Sequence, residues 1–490
     1  MSKKVISEQN QRKSIFEIKS VNVIYDEIRR LYIDDNRPWV IGYSGGKDST
    51  TTLQLVWYAI SELAISQRQK PIHIISSDTL VETPIITDII RSSIENINKI
   101  SKEEKLPFIA TMIQPEITDS FWVNLIGKGY PAPKNKFRWC TDRLKIYPAN
   151  RYIINRVSEY GEVILILGVR KQESMTRAQV MSFHKIKGTL LSRHSTLPQT
   201  FIYTPIEDFS TNDVWDYLLQ CPNPWGNDNH DLITMYRNAT GECPLVVDKT
   251  TPSCGNSRFG CWVCTVVEKD RSMEALIDKG EEWMRPLLKF REQLIITTDP
   301  DKKHHYRGAK RRNGKMKLKS DGSMIFSLGP YNFQFRKELL RKLLDVQQTV
   351  RKNGPNPEIT LIRKEELEEI RKLWRSECSD WEDSVPKICR EILGMELDWI
   401  QEDHAAFTID DAVVLEEICN THNLPAQLVT RLLDVERDVQ GMARRASIYT
   451  RINKVLKEEW RDETEVMQEF KEKAVIRDGK QTVFHHIQDV

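Results

Sequence analysis

The stretch Trp39-Val-Ile-Gly-Tyr43 runs directly into Ser44-Gly45-Gly46-Lys47-Asp48-Ser49, and a helical pattern begins at Thr50. An apolar extended run ending in glycines, hydroxyls and a lysine predicts a buried strand that turns sharply into a helix N-terminus. Glycine lets the backbone approach a ligand, helix N-terminal amides are ready donors, and Lys47 adds a full charge, so the turn is an anion site. The Walker A spacing is absent, and an acidic residue follows the lysine. A bare Gly-Gly pair is an ordinary strand-to-helix turn; the complete string after a strand points to a bound phosphate, most simply that of a nucleotide.

Apolar extended runs near 38–43, 72–76, 107–113 and 163–168 alternate with helical patterns near 13–32, 48–65, 84–103, 141–158 and 171–180. Continuous apolar strands between helices indicate an α/β fold with a parallel sheet covered on both faces. Such sheets bind ligands beyond the carboxyl ends of their strands, where the glycine turn, Asp78 and Gly168-Val169-Arg170 would all lie. A short helix, 211–219, leads into a region rich in Pro, Gly, Asn and Cys. Beyond 271 the pattern is mainly helical (336–350, 412–419, 426–435), apart from a hairpin expected at 315–326, and 440–475 reads as a charged, solvated helix. The expected organisation is an N-terminal helix (1–36), a nucleotide domain (37–220), a four-cysteine region (221–270), a basic helix and hairpin segment (271–330) and a helical C-terminal region (331–490). No apolar run approaches the roughly 20 residues that a membrane helix needs, and the N-terminus lacks a signal core. With nine cysteines, four of them crowded between Cys243 and Cys264, the expectation is a cytoplasmic protein with no membrane partner.

Four motifs carry a family resemblance. Tyr43–Ser49 is similar to the pyrophosphatase loop (PP-loop) of adenine-nucleotide alpha-hydrolase-like enzymes. Asp78-Thr-Leu-Val-Glu82-Thr83 resembles the Asp-Thr-Gly…Glu-Thr stretch of phosphoadenylyl-sulfate reductases, with Leu80 where that branch has glycine. Gly168-Val-Arg170 through Glu173, Ser174 and Arg177 resembles its Gly-x-Arg…Glu-Ser…Arg element, and Thr204-Pro-Ile through Asp213-Val-Trp215 its Pro-Ile…Asp-Val-Trp segment. The resemblance covers roughly residues 38–220, with the motifs in the family's order. It implies an ATP pyrophosphatase in which Ser44, Gly45, Gly46, Lys47 and Ser49 contact phosphate. It further implies that Asp48 helps hold Mg2+, that Asp78 and Gly168 lie near the nucleotide, and that Lys47, Asp48 and Arg170 serve catalysis, Arg170 as a second phosphate clamp. Glu173 and Arg177 read equally as a functional pair or a simple intrahelical one.

Cys243, Cys254, Cys261 and Cys264 are spaced C-x10-C-x6-C-x2-C among Gly, Pro and Ser. Four soft thiolates suit zinc or an iron–sulfur cluster; with a single Cys-x-x-Cys knuckle, the irregular spacing favours a 4Fe-4S cluster over zinc. Cys221, Cys378, Cys389 and Cys419 read as small apolar core residues. Cys140, in a Cys…Lys-x-x-Pro stretch resembling relatives that handle adenylyl sulfate, lacks their paired cysteine. Flanking arginines are expected to lower its pKa, leaving it either a sulfur-carrying thiolate or a structural helix-start residue.

Residues 301–319 hold nine Lys or Arg against one Asp, and 128–145 adds six more cations interleaved with Tyr130, Phe137 and Trp139. Although a solvated loop is the default for a charge run, this density with aromatics suits nucleic acid. The whole combination most closely resembles the DndC family of bacterial DNA phosphorothioation proteins. That resemblance implies ATP-dependent sulfur insertion into the DNA backbone as part of an antiviral defence system, with DNA, a cysteine desulfurase as sulfur donor and other phosphorothioation subunits as partners. The alternatives are an adenylyl-sulfate or phosphoadenylyl-sulfate reductase, which would call for a catalytic cysteine beyond Cys419, an RNA base thiolation enzyme, and a non-catalytic nucleic-acid-binding scaffold.

Overall fold

The structure is a computed structural model that describes residues 14–232, 260–317, 328–399, 409–439, 447–461, 465–469 and 472. It divides into two compact units, one formed by Met1–Glu116 and Phe137–Glu282, the other by Ile117–Lys136 and Trp283–Val490. The segment 117–136, inside the sequence range expected for the nucleotide domain, thus groups with the C-terminal part of the chain.

The first unit is built on a six-stranded sheet: β1 Trp39–Gly42, β2 Ile72–Ser77, β3 Phe108–Ile113, β4 Val163–Ile166, β5 Leu191–Arg193 and β6 Thr200–Tyr203. Their spatial order is β3-β2-β1-β4-β6-β5, all parallel except β5, which pairs antiparallel with β6. The chain runs outward from β1 through β2 to β3, then restarts at β4 on the other side. β1 and β4 therefore flank the switch point where open α/β sheets bind ligands. Even the fully buried β1 alternates: Trp39 and Ile41 join one core, with Leu53, Ile74 and Ile97, while Val40 joins the other, with Ala149, Ile153 and Leu165. Apolar burial on both faces is the signature of a doubly covered parallel sheet. The α/β sheet with flanking helices and the mainly helical C-terminal region are as expected from the sequence.

Boundaries moved where local chemistry intervenes. The helix expected at 141–158 starts as a π-turn, Asp142–Ile146, and becomes regular at Tyr147–Tyr160, where Pro148 occupies a first-turn position that needs no amide. The helix expected at 171–180 begins only at Met175, capped by the Ser174 hydroxyl, which accepts from the Arg177 amide at 3.1 Å. The 315–326 hairpin lies largely outside the described residues; of the solvated helix expected over 440–475, Ile448–Leu456 is helical with Ile448 and Val455 buried, and the chain leaves the helix over 457–461.

The second unit is helical. Phe333–Asn353, started by the Asn332 side chain accepting from the Phe335 amide at 2.8 Å, buries Leu339, Leu340, Leu343, Leu344 and Val350. A buried π-turn, Val123–Gly127, is tied to this unit by two indoles. Trp122 Nε1 donates to the Leu361 carbonyl at 2.6 Å, and Trp374 Nε1 to the Ile126 carbonyl at 3.0 Å. Among the described residues no helix is long and apolar enough to cross a membrane.

Candidate functional site

The turn after β1 closes on itself through hydroxyls. Ser44 Oγ and Ser49 Oγ are 3.0 Å apart, the Ser44 amide donates to Ser49 Oγ at 3.2 Å, and Ser49 Oγ donates to the Gly46 carbonyl at 2.9 Å. Gly45 has φ of +72°, a left-handed conformation that favours glycine, and an added Cβ would press on Ile90 at 3.3 Å. Gly46 caps the helix Lys47–Ser61 without a side-chain hydrogen bond, so an outside anion is the natural complement to this helix end.

One buried carboxylate organises the residues behind the turn. Asp48 Oδ2 accepts from Lys47 Nζ at 2.9 Å, and Oδ1 accepts from Arg170 Nε at 2.6 Å. Arg170 also donates to Thr211 Oγ1 at 3.2 Å. Asp48 and Arg170 are each 2% exposed. Arg170 thus reaches Asp48 where a direct phosphate clamp was expected. Both Asp48 oxygens are already engaged by cations, so a magnesium ion there would have to displace Lys47 or Arg170; this arrangement does not fit Asp48 as a ready metal ligand. Arg170 Nε also lies 3.9 Å from Glu173 Oε1, and Glu173 pairs with Arg177, so three cations face two carboxylates and the group keeps a net positive charge, which suits a polyphosphate. Gly168 is required by packing, since a Cβ would lie 2.6 Å from the Asp48 carbonyl oxygen. Glu173 and Arg177 do form an ion pair, with Glu173 in a short 3-10 turn ahead of the helix.

Ser44, Gly45 and Gly46 line a cavity of about 340 Å³, together with Tyr43, Ser77, Glu82, Lys145, Asn223 and Asn227 among others. Ser77 Oγ and Asn227 Oδ1 are buried there without a hydrogen-bond partner among the described residues. Buried polar atoms are rarely left unpaired, so both are places for a ligand to complete. Sequence reading did not single out Ser77 or Asn223 and Asn227. The Asn- and Pro-rich composition of 221–230 was their one visible signal, and Asn229 secures that segment by donating to the Leu218 and Cys221 carbonyls at 2.9 Å.

Asp78 does not line the cavity. It holds the turn after β2, accepting from the Leu80 amide and from Gln114 Nε2, both at 2.9 Å. Leu80 has φ of +65°, the conformation that explains a glycine at this place in the resembling motif. The cysteine knuckle docks on the same turn. The Trp262 amide donates to the Val81 carbonyl at 3.0 Å, Thr79 Oγ1 lies 3.3 Å from Cys261 Sγ, and Cys261 Sγ donates to Glu82 Oε1 at 3.7 Å. Lys145 Nζ approaches the same Glu82 oxygen at 3.6 Å. Burial and the neighbouring Cys264 push the Cys140 thiol up to about 11, with Lys145 pulling the other way. The expected lowering by flanking arginines is therefore reversed, because burial outweighs them. Burial and the Glu82 carboxylate raise Cys261 as well. Cys261 and Cys264 are soft donors of the type that suits an iron–sulfur cluster or zinc, and Cys140 lies near Cys264. Among the described residues no three His, Cys, Asp or Glu side chains are arranged to hold a metal ion, and Cys243 and Cys254 lie outside the described residues. Of the four cysteines expected as core residues, Cys389 and Cys419 are buried and Cys221 and Cys378 half-buried.

The phosphoadenosine phosphosulfate reductase domain model matches residues 38–266, which include the turn, Arg170 and the cysteine knuckle. A second model, described as a small protein found in certain Dnd DNA modification systems, matches residues 410–457. The uncharacterized protein MJ0066 of Methanocaldococcus jannaschii is 24% identical over 241 residues, 49% of this chain and 39% of that protein, so the chain spans well under half of that relative's length. The chain is also similar to solved structures at low identity. A phosphoadenylyl-sulfate reductase from Candida auris is 15% identical, over 42% of this chain and 83% of that one, with a TM-score of 0.27. The U34-tRNA thiolase NcsA from Methanococcus maripaludis with its [4Fe-4S] cluster is 14% identical, over 56% and 79%, with a TM-score of 0.27.

Proposed function

We propose that this chain is a DndC-type ATP pyrophosphatase and sulfurtransferase that activates an oxygen of the DNA sugar–phosphate backbone by adenylation, so that sulfur can replace it. The observation that carries this reading is a single cavity. Its wall joins the Ser44–Gly46 anion turn to Glu82 and Lys145, and the Glu82 carboxylate accepts from the Cys261 thiol. In this reading the cysteine knuckle adjoins the nucleotide cavity through the Glu82 carboxylate in its wall. The match of residues 410–457 to a small protein found in certain Dnd DNA modification systems supports DNA as the acceptor and other subunits of such a system as partners; a cysteine desulfurase as sulfur donor is part of the same proposal.

In the first step a non-bridging oxygen of a DNA phosphodiester attacks the alpha phosphorus of ATP. The bond from that phosphorus to the alpha–beta bridging oxygen breaks, and pyrophosphate leaves with its charge stabilised by the turn amides and the positive Lys47–Asp48–Arg170 group. Ser77 and Asn227 hold the nucleoside end. In the second step hydrosulfide attacks the activated DNA phosphorus, the bond to the adenylated oxygen breaks, AMP departs with that oxygen, and a proton is released. When bound, an iron–sulfur cluster held by the cysteine knuckle supplies a soft metal able to carry sulfide.

Purified protein with ATP, DNA and sulfide is expected to release pyrophosphate, and Lys47→Ala to lose roughly 100-fold of that rate. Absence of nucleotide turnover under these conditions contradicts the enzyme reading. Nuclease-digested DNA from cells carrying the gene is expected to yield phosphorothioate dinucleotides; thiolated RNA bases without them contradict the acceptor.

A further inference from the structure

We propose that the second unit contains its own phosphodiester-binding cavity, through which the protein grips the DNA backbone; this rests on the DNA reading above. The basic run is folded around this cavity. The Arg311 amide donates to the Lys315 carbonyl at 2.9 Å, the Gly314 amide to the Arg311 carbonyl at 2.8 Å, and Gly314 takes φ of +72°. The Glu459 amide then donates to the Gly314 carbonyl at 2.8 Å, pinning the basic turn to the segment just beyond the Dnd-associated match.

The cavity of about 210 Å³ is lined by six cations, Lys128, Lys310, Arg311, Arg312, Arg336 and Arg431, against three carboxylates. Each carboxylate already has an arginine: Glu377 with Arg312 at 3.0 Å, Glu458 with Arg431 at 3.2 Å, and Glu459 with Arg461 at 2.7 Å. The lining keeps a surplus of positive charge. Arg336 is the deciding residue. It is 7% exposed, and among the described residues no carboxylate pairs with it. Its guanidinium donates instead to the carbonyls of Tyr331 at 2.8 Å and Gly127 at 3.0 Å, and to Cys378 Sγ at 3.3 Å. A buried guanidinium cannot shed its proton and is costly without an anion, so this cavity lacks its counter-charge. Gly129, with φ of +71°, packs directly on this guanidinium: a Cβ there would lie 2.5 Å from Arg336 Nε, so the glycine seats the arginine in the cavity wall.

One aromatic ring, Trp460, lines the cavity, and a second, Tyr130, lies beside one of its cations. Lys310 Nζ lies 5.9 Å from the Trp460 ring centroid, and Arg312 lies 5.7 Å from that of Tyr130. Cations interleaved with aromatic planes suit a nucleic-acid strand, and the volume suits one phosphate with its sugar.

The test uses the full chain. Lys310→Ala with Arg311→Ala is compared with Lys342→Ala and Lys352→Ala, the same charge change on an exposed helix face, by titrating DNA and matched RNA oligonucleotides over a salt series. The pocket pair is expected to bind DNA roughly tenfold more weakly and to reduce the slope of log affinity against log salt by about 1.8, with ATP affinity unchanged and the control pair like wild type. Wild type that binds DNA, with the pocket pair unchanged or the control pair equally weakened, overturns this site and leaves the DNA reading standing. Wild type that binds RNA and not DNA overturns both.

Discussion

Arg170 and Asp48, 122 positions apart in sequence, meet at 2.6 Å in a nearly dry environment directly behind the phosphate turn. The contact converts a flexible guanidinium into a fixed support for Lys47 and for the first turn of the helix Lys47–Ser61. Removing one partner of a buried ion pair costs more than the pair itself contributes, because the other charge is left behind. Arg170→Ala is therefore expected to destabilise the protein by about 3 kcal/mol and to abolish pyrophosphate release. Thermal unfolding with a parallel turnover assay checks this; a folded variant of unchanged stability would contradict the supporting role.

The position of Gly168 yields a second prediction. Its missing Cβ lets β4 come against the Asp48–Ser49 backbone, so Gly168→Ala must push the turn away from its strand. Overpacking of this kind costs roughly 1–3 kcal/mol, and nucleotide affinity is expected to fall by about tenfold with the sheet intact. Isothermal titration with ATP, set beside circular dichroism, reads both.

Lys70 gives a pH signature of the fold. Its ammonium is pushed down to about 7 by burial, although Asp35 pulls the other way. It donates to the Asp35 carbonyl at 2.5 Å and lies over the rings of Tyr32 and Trp39. In the unfolded chain this lysine keeps its proton up to its ordinary value of 10.5. Between about 7 and 10 the unfolded state thus binds more protons than the folded one, and stability rises with pH by about 1.4 kcal/mol per unit from this group. Lys70→Met is expected to flatten that rise in denaturant titrations from pH 7 to 9.5. An unchanged slope would show Lys70 to be charged in the folded state.

The cysteine knuckle predicts a metal dependence. Protein purified without oxygen is expected to carry iron and a visible absorption band, with Cys264→Ser losing most of both and Cys221→Ser keeping them. Zinc in place of iron would select the alternative ligand, and equal metal in all three proteins would contradict the site.

Much of this was legible in the sequence, for definable reasons. β1 to β4 are continuous apolar runs, and Ser44–Ser49 carries its chemistry within six consecutive residues. β5 and β6 were missed because Leu191–Arg193 is three residues long at the sheet edge and Thr200–Tyr203 is bounded by polar residues. Arg170 was read from its charge, but its target depends on how β4 and the helix Lys47–Ser61 pack, which no local pattern encodes. Cys140 shows the same limit: neighbouring charges are visible in sequence, whereas the burial that outweighs them is tertiary. Ser77 and Asn227 become site residues only when the sheet edge and the 221–232 segment close one cavity.

In the proposed reaction a DNA phosphate oxygen is adenylated and then leaves with AMP. DNA carrying oxygen-18 at its non-bridging phosphate positions, incubated with the protein, ATP and sulfide, tests it directly by mass spectrometry of the released AMP. One oxygen-18 in AMP is expected for each phosphorothioate formed. Phosphorothioate accompanied by unlabelled AMP would contradict it.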